Sequence, residues 1–420
     1  MAEFFDALET RAPEAREQAL MHALPATLAQ AVARAPAVAR QLAGVDPRAV
    51  TSRAALERVP VLRKHALLEA QTAAREAGPA GAASAFGGFS AIGWGDAARV
   101  FSSPGPIYEP ESRRPDYWRF ARALYAAGFR SRELVYNCFA YHFSPAGSMM
   151  ETAAHALGCT VFPGGTGQTE QQVRTIADLA PGGYTGTPSF LKIILEKADE
   201  LGVALPSLKR ALVSGEAFPP SLRTWLQARG VEGYQAYGSA DLGMIAFETA
   251  AREGLVVGED VILEIVRPGT DDAVADGEVG EVVVTTLNPD YPLVRFGTGD
   301  LSALMPGASP CGRTNVRIKG WMGRADQTAK VRGLFVHPSQ VAEVLRRYPE
   351  AGRARLTISG EAGADAMTLT VETAAASEAL ASRMAESMRD VTKLRASVTC
   401  VAPGSLPNDG KIIDDTRSFA

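Results

Sequence analysis

Apolar and polar positions along the chain fall into three regimes. Through residues 1–80, apolar residues recur at spacings of three and four among alanine, leucine and arginine, with Pro13, Pro25, Pro36, Pro47 and Pro60 as punctuation. That period predicts helices separated by turns. From residue 133, short apolar runs alternate with helical patterns. ELVYNCFAYHF reads as a buried strand, and AGSMMETAAHALG as a helix closed by Gly158, whose missing Cβ permits a left-handed end. CTVFPGG follows as a strand. Thr169-Glu170-Gln171-Gln172 then predicts a capping box, with the Thr hydroxyl accepting from the first turn and Gln172 reaching back. GGYTGTPS, FLKIILEKADELG, RALVSGE, SLRTWLQARG and YQAYG continue the alternation. Such an order predicts a parallel sheet covered on its faces. Over 255–305 the period drops to that of strands: VILEIV, EVGEVVVTTL and LVRFGTGDLSAL predict an antiparallel sheet or small barrel. After GRADQ, strands and two helices make a smaller α+β unit.

The fold class expected is therefore α/β: a large N-terminal domain of layered, mostly parallel sheets (1–324, with a β-rich subdomain at 255–324) and a small, mobile α+β C-terminal lid (325–420). The Gly/Ser/Ala-rich passage at 78–96 fits either a linker or a site loop. A length of 420 residues agrees with more than one folding unit, and 46% hydrophobic residues suffice for a large core. The net charge of −4 argues against a nucleic-acid partner, which needs a basic face. No apolar run is long enough to span a bilayer, and MAEFFDALETRAPEAREQ has no signal-peptide core, so a cytoplasmic protein is expected. The four cysteines are far apart, which suggests neither a disulfide framework nor a zinc knuckle. The five histidines have no carboxylate cluster beside them. G-x-S-x-G does not occur, and GGTGQTE (164–170) matches neither glycine-rich phosphate motif.

Chemistry is expected at the carboxyl ends of the strands. Three ends carry SGEAFPP (214–220), YGSADLG (237–243) and TGTPS (185–189); RFGTGDL (295–301) and PNDGK (407–411) follow. Singly, each has an ordinary explanation. Asp300 suits a turn, Asp241 a cap, Glu216 a helix start and Lys411 a solvated loop. In order, and together with KGWMGRADQTAKVRG, LGCTVFPGGTGQTEQQVR, TPSF and VRGLFVHPSQV, they resemble the adenylate-forming acyl ligases, and within them the phenylacetate–coenzyme A ligase branch. The likeness begins at RVPVLRKHALLEA and runs to the C-terminus.

The resemblance implies a two-step reaction. A carboxylate attacks the α-phosphate of ATP to give acyl-AMP and pyrophosphate, and the thiol of coenzyme A then displaces AMP. It further implies that Ser214, Gly215, Glu216, Ala217, Tyr237 and Gly238 border the nucleotide, and that Asp300 accepts both ribose hydroxyls. Arg324 would reach the ribose or phosphate, Asp326 would be the interdomain hinge, and Lys411 would bridge the acid and the α-phosphate. Asp241 falls where the family has a Mg²⁺-binding glutamate. Asp300 and Lys411 would thus converge on one cleft, the small domain turning between the half-reactions.

The family's phosphate loop is altered here. The matching stretch, Phe101 to Pro110, keeps Ser102, Ser103 and Gly105 but lacks the threonine pair and the lysine. Pro104 and Pro106 remove amide donors, and Glu109 adds a negative charge. Two alternatives to the ligase therefore stand: an ATP-independent acyltransferase moving an aryl group from coenzyme A to a carrier-protein thiol, and a non-catalytic homologue. The branch prefers aryl acids. Tyr136, Phe139 and Phe143 are candidates for the acyl pocket and Gly186 and Ser189 for its floor; core packing is the competing explanation for the aromatics. The expected partners are a small aromatic or other carboxylic acid, coenzyme A or a carrier protein, and neither nucleic acid nor membrane; a homodimer is left open.

Overall fold

The alanine- and leucine-rich opening folds into helices α1 (Pro13–Arg34), α2 (Pro36–Gln41) and α3 (Arg53–Leu56). Pro25 does not interrupt α1. An internal proline costs about 3 kcal/mol, but Leu20, Leu24, Leu28 and Ala31 are buried along one face of the uninterrupted helix, and that burial outweighs the lost hydrogen bond. The structure is a computed structural model that describes residues 3–268, 270–322, 324, 325, 327, 329–332, 334–336, 338–360, 365–407 and 411–417. It divides into two units, Met1–Gly323 and Arg324–Ala420.

In the first unit, strand β1 (Leu62–Arg63) leads directly into α4 (Lys64–Ala77). The glycine-rich passage holds the short helix α5 (Ala82–Ala85) and leads to a hairpin of β2 (Ala97–Ser103) and β3 (Ile107–Ser112), followed by α6 (Ala121–Ala126). Then comes the expected alternation: β4 (Leu134–Asn137), α7 (Ala146–Ala156), β5 (Thr160–Pro163), α8 (Thr169–Leu179), β6 (Gly183–Gly186), α9 (Pro188–Leu201), β7 (Arg210–Val213), α10 (Pro220–Gln227) and β8 (Glu232–Ser239). The β-rich remainder is β9 (Gly243–Glu248), β10 (Leu255–Val257), β11 (Val261–Val266), β12 (Gly280–Thr286), β13 (Phe296–Ser302), β14 (Leu304–Met305) and β15 (Arg317–Ile318).

These strands form two main sheets. One has the order β14-β15-β10-β9-β8-β7-β6-β4-β5. Its β5-β4-β6-β7-β8 portion is parallel, and from β8 onward its pairs are antiparallel. The strand order reverses between β4 and β6, so their carboxyl ends open the crevice where ligands of such sheets bind. The other sheet, β1-β13-β12-β11, is antiparallel except for β1, which lies parallel to β13. Arg295 fixes that junction from a fully buried position: its guanidinium donates to Glu264 and to the carbonyls of Glu57, Val59 and Asp271.

Two local expectations fail. Gln168, with φ +52°, is the N-cap of α8, and no side chain caps that end, so Thr169 to Gln172 forms no capping box. Gln172 instead turns inward, where it accepts from the Tyr136 hydroxyl and donates to the Gly164 carbonyl. Burial beside the parallel sheet won over the local cap. At the end of α7, by contrast, Gly158 takes φ +81°, as the sequence predicts.

The second unit contains a hairpin of β16 (Ala329–Val331) and β17 (Leu334–Val336), then α11 (Pro338–Arg346), β18 (Ala354–Ser359), β19 (Ala366–Glu372), α12 (Glu378–Thr392), β20 (Ser397–Val401) and β21 (Ile413–Asp415). A sheet of order β20-β19-β18-β21 packs Leu356, Ile358, Leu369 and Val371 against Val341 and Val344 of α11 and Met384 and Met388 of α12.

Candidate nucleotide and metal site

The platform at the ends of the parallel strands is joined by side chains. At β4, Asn137 is fully buried; its amide donates to the Tyr141 hydroxyl and the Gly147 carbonyl, and its oxygen accepts from Thr185 of β6. At β7, the Ser214 hydroxyl donates to the Ala236 carbonyl of β8 at 2.8 Å. Gly215 then takes φ +83°, a left-handed conformation that disfavours any side chain, and aims the 214–217 backbone across the strand ends. Glu216 is committed elsewhere: its carboxylate accepts the Ser189 amide at 2.7 Å, in the first turn of α9, where the helix dipole favours an anion.

Tyr237 in β8 carries this platform across to the second sheet. Its hydroxyl donates to Asp300 Oδ2 at 2.9 Å, and Trp321 Nε1 donates to Asp300 Oδ1 at 3.0 Å. The Asp300 amide donates to Thr298, which fixes the turn of β13 beneath it. Both carboxylate oxygens are thus oriented, and each keeps a lone pair for a further donor such as a ribose hydroxyl. Ser214, Ala236, Tyr237 and Asp300 form one connected edge. Gly238 approaches the backbone of Gly243 so closely that a Cβ would lie 2.6 Å from its carbonyl oxygen.

The acyl-pocket aromatics are not brought together. Tyr136 is buried against Phe162 with its ring stacked at 4.9 Å, in the cluster that includes residues of α8 and α9. Phe139 belongs to a different cluster, with residues of α6 and α7. Phe143 is 76% exposed at φ +60°. The pleat explains the split: alternate residues of β4 and its extension leave on opposite faces. Gly186 is buried, and a Cβ there would stand 2.1 Å from the Tyr184 hydroxyl; Ser189 is half-buried behind Glu216.

The stretch expected to serve as the phosphate loop folds as the β2–β3 hairpin. Pairing of Phe101 with Glu109 and of Ser103 with Ile107 places all four side chains on its buried face. Ser102 instead joins the hairpin to the loop after β4, its amide donating to the Phe143 carbonyl at 2.7 Å. The Ser103 hydroxyl donates to the Glu109 carboxyl, and Gly105 lies in the exposed turn. Beside Glu109 lies Asp241, with only 1% of its side chain exposed. Its Oδ2 accepts from Lys64 Nζ at 2.9 Å, while its Oδ1 is buried with no hydrogen-bond partner. Burial, and then the charge of Asp241, push the Glu109 carboxyl up to about 8, against the lowering influence of Ser103 and Lys64. Burial and the charges of Glu109 and Asp241 likewise hold Tyr291 well above the usual phenol range.

Lys64 and the inward role of Glu109 were missed from sequence. The second had a signal, since Glu109 falls in phase with Phe101 and Ile107 across a short turn; the first joins positions 177 residues apart. Among the described residues, no three His, Cys, Asp or Glu side chains are grouped to hold a metal. The orphaned oxygen of Asp241 nevertheless fits a hard cation such as Mg²⁺, which needs only one or two carboxylates besides water and phosphate. In the second unit, Lys411 pairs with Asp414 at 2.9 Å and is about half exposed; Arg324 opens that unit, and Asp326 lies outside the described residues.

Strand-end backbone turned at Gly215 and a carboxylate oriented at both oxygens lie along one edge of the sheet. Comparison gives the chain its family. Residues 117–288 match the AMP-binding enzyme model, and residues 333–415 match the AMP-binding enzyme C-terminal domain. The phenylacetate-coenzyme A ligase of Thermus thermophilus is 31% identical over 401 residues, 87% of each chain, and that of Escherichia coli is 31% identical over 264 residues, 60% of this chain and 59% of its own. A solved structure of 2-hydroxyisobutyryl-CoA ligase, in complex with 2-HIB-AMP and CoA, superposes with a TM-score of 0.80 at 26% identity, covering 98% of this chain and 92% of that one. The chain belongs to the adenylate-forming AMP-binding enzymes, in the phenylacetate–coenzyme A ligase group. No helix among the described residues is long and apolar enough to cross a membrane.

Proposed function

We propose that the protein is an AMP-forming acid–coenzyme A ligase acting on an aromatic carboxylic acid. The observation that carries this reading is the edge from Ser214 to Asp300, which offers a purine a flat backbone and a ribose diol a carboxylate already oriented by Tyr237 and Trp321. ATP lies along this edge with its phosphates toward Asp241. The acid carboxylate attacks the α-phosphorus, the bond to the β-phosphate oxygen breaks, and pyrophosphate leaves. Lys411, brought in by the second unit, offsets the charge of two anions meeting, and Arg324 contacts the ribose or phosphate. Asp241 would hold Mg²⁺, which when bound would neutralise phosphate charge. The second unit then turns, and the coenzyme A thiol attacks the acyl carbonyl and expels AMP. The aryl preference is supported by the named activity of the relatives.

The test is acid-dependent exchange of pyrophosphate into ATP across a panel of aryl acids. Exchange is expected, with Lys411→Ala lowering it by about 10²–10³-fold, as loss of a group aimed at developing charge does. A second reading has one observation in its favour: two prolines and an inward Glu109 leave the hairpin poor in phosphate donors. It is an acyl transfer from coenzyme A to a carrier thiol without ATP. No exchange, together with such transfer, overturns the ligase reading in its favour; no exchange and no nucleotide binding leaves a non-catalytic homologue.

A further inference from the structure

The hairpin that replaces the phosphate loop buries a carboxylate where a polyanion is to be bound, and that arrangement needs a reason. Glu109 has no exposed surface, and Asp241 is equally withdrawn from water. Buried carboxylates are retained when paired, hydrogen-bonded or metal-bound. Ser103 satisfies part of Glu109. Lys64 satisfies one oxygen of Asp241 and leaves the other, inside the protein, without any donor. A buried carboxylate oxygen of this kind has lone pairs directed at no donor, and a cation satisfies them.

Lys64 breaks a local rule of its own. It is the first residue of α4, where the helix dipole disfavours a cation. Among the described residues, no side chain caps that helix end, and β1 holds the start of α4 against β13. The ammonium is turned to Asp241 instead, with about a third of the side chain still open to solvent. A cation that sits on a buried carboxylate yet keeps a path to water can be displaced without unfolding anything.

We infer that Glu109, Asp241 and the Ser103 hydroxyl form the divalent-cation seat of this chain, and that Lys64 is its resident counter-cation, held on Asp241 until the metal replaces it. The seat is all oxygen, as a hard cation requires. Glu109 then ceases to be a charge opposed to ATP and becomes a ligand for the ion that accompanies it. The inference rests on the ligase reading only for the purpose of the metal, since binding can be measured with no ATP, acid or coenzyme A present.

The experiment titrates full-length protein with Mn²⁺ and reads free ion by electron paramagnetic resonance, with calorimetry as the second readout. Wild type is expected to bind one Mn²⁺, and Asp241→Asn to lose it. Glu109→Gln should weaken binding by at least about tenfold, the lower end of what altering the surroundings of a metal costs. Lys64→Met should tighten it, because a competitor has gone. Circular dichroism and thermal melts establish that each variant is folded; should Glu109→Gln not fold, Ser103→Ala, expected to weaken binding, takes its place. Binding by Glu109→Gln equal to wild type removes Glu109 from the seat. Unchanged or weaker binding by Lys64→Met removes Lys64 as competitor. No site in either wild type or Lys64→Met overturns the whole assignment, and leaves pyrophosphate exchange to be judged separately.

Discussion

The platform at the ends of β4, β6, β7 and β8 and the β2–β3 hairpin serve the same proposed nucleotide by opposite means. On the platform the backbone does the positioning. Parallel pairing sets the strand ends side by side, Gly215 turns the chain, and side chains such as Ser214 and Asn137 tie one end to the next. In the hairpin the backbone contributes little, since two prolines remove donors and the turn is exposed. What distinguishes it is an inward charge cluster assembled from α4, β3 and the segment after β8. A site built on repeated strand geometry tolerates variation in side chains; one built on three distant residues depends on each of them. Substitutions that remove a side chain should therefore act differently in the two regions.

The largest effect is expected at the place where the platform does rely on one side chain. Asp300→Ala removes two oriented acceptor oxygens, and charge-assisted hydrogen bonds contribute about 1.5–3 kcal/mol each. The KM for ATP in pyrophosphate exchange should rise by about 10²-fold or more, with the melting temperature little changed. A large fall in melting temperature with an unchanged KM would assign Asp300 to the joint between the sheets, where Tyr237 and Trp321 hold it, and remove it from the ribose site.

A second substitution tests whether platform geometry is as rigid as the backbone argument requires. At Gly186 an added Cβ would lie 2.1 Å from the Tyr184 hydroxyl, which itself donates to the Thr187 carbonyl at the entry to α9. Gly186→Ala must displace that ring from a fully buried position, and overpacking of this kind costs about 1–3 kcal/mol. Chemical denaturation should show the loss as a shifted midpoint with an unchanged slope. Stability equal to wild type would mean that the end of β6 yields easily and that the platform is softer than its pairing suggests.

The same contrast accounts for what could be read from the chain in advance. The alternation over 133–237, the antiparallel β11–β13 and the C-terminal α+β unit are local patterns, and the structure follows them. The edge at Ser214 and Asp300 was legible because short motifs mark strand ends. Two readings failed and one residue was missed, all for tertiary reasons. Thr169 made no capping box because Gln172 was drawn inside by Tyr136 and the glycine-rich turn. The aromatics of 136–143 did not converge, since one stacks on Phe162, one packs with α6 and α7, and Phe143 is thrust outward at a left-handed residue. Lys64 could not be placed because nothing within its own segment indicates Asp241, and only the docking of β1 on β13 brings α4 there.

A last effect is expected beyond the hairpin, at Asp116, where a half-buried acid with no role in the proposed chemistry supplies a control for the charge cluster. Its carboxylate accepts the amide of Ala121, the first residue of α6. Burial pushes its carboxyl up to about 7, against the lowering effect of that hydrogen bond and of Arg119. The folded state therefore holds this proton more tightly than the unfolded chain, whose aspartates titrate near 3.9. The sign follows from linkage: the contribution to stability is fully present below the unfolded value, falls as pH rises between the two, and is gone above about 7. Asp116→Asn keeps an oxygen for the Ala121 amide and has no proton to lose. Melting temperatures of the two proteins should thus diverge from pH 5 to pH 8, with wild type losing ground to the variant. Parallel profiles over that range would show that Asp116 stays ionised in the folded protein, with its charge stabilised by the start of α6 and by Arg119 more strongly than burial opposes it.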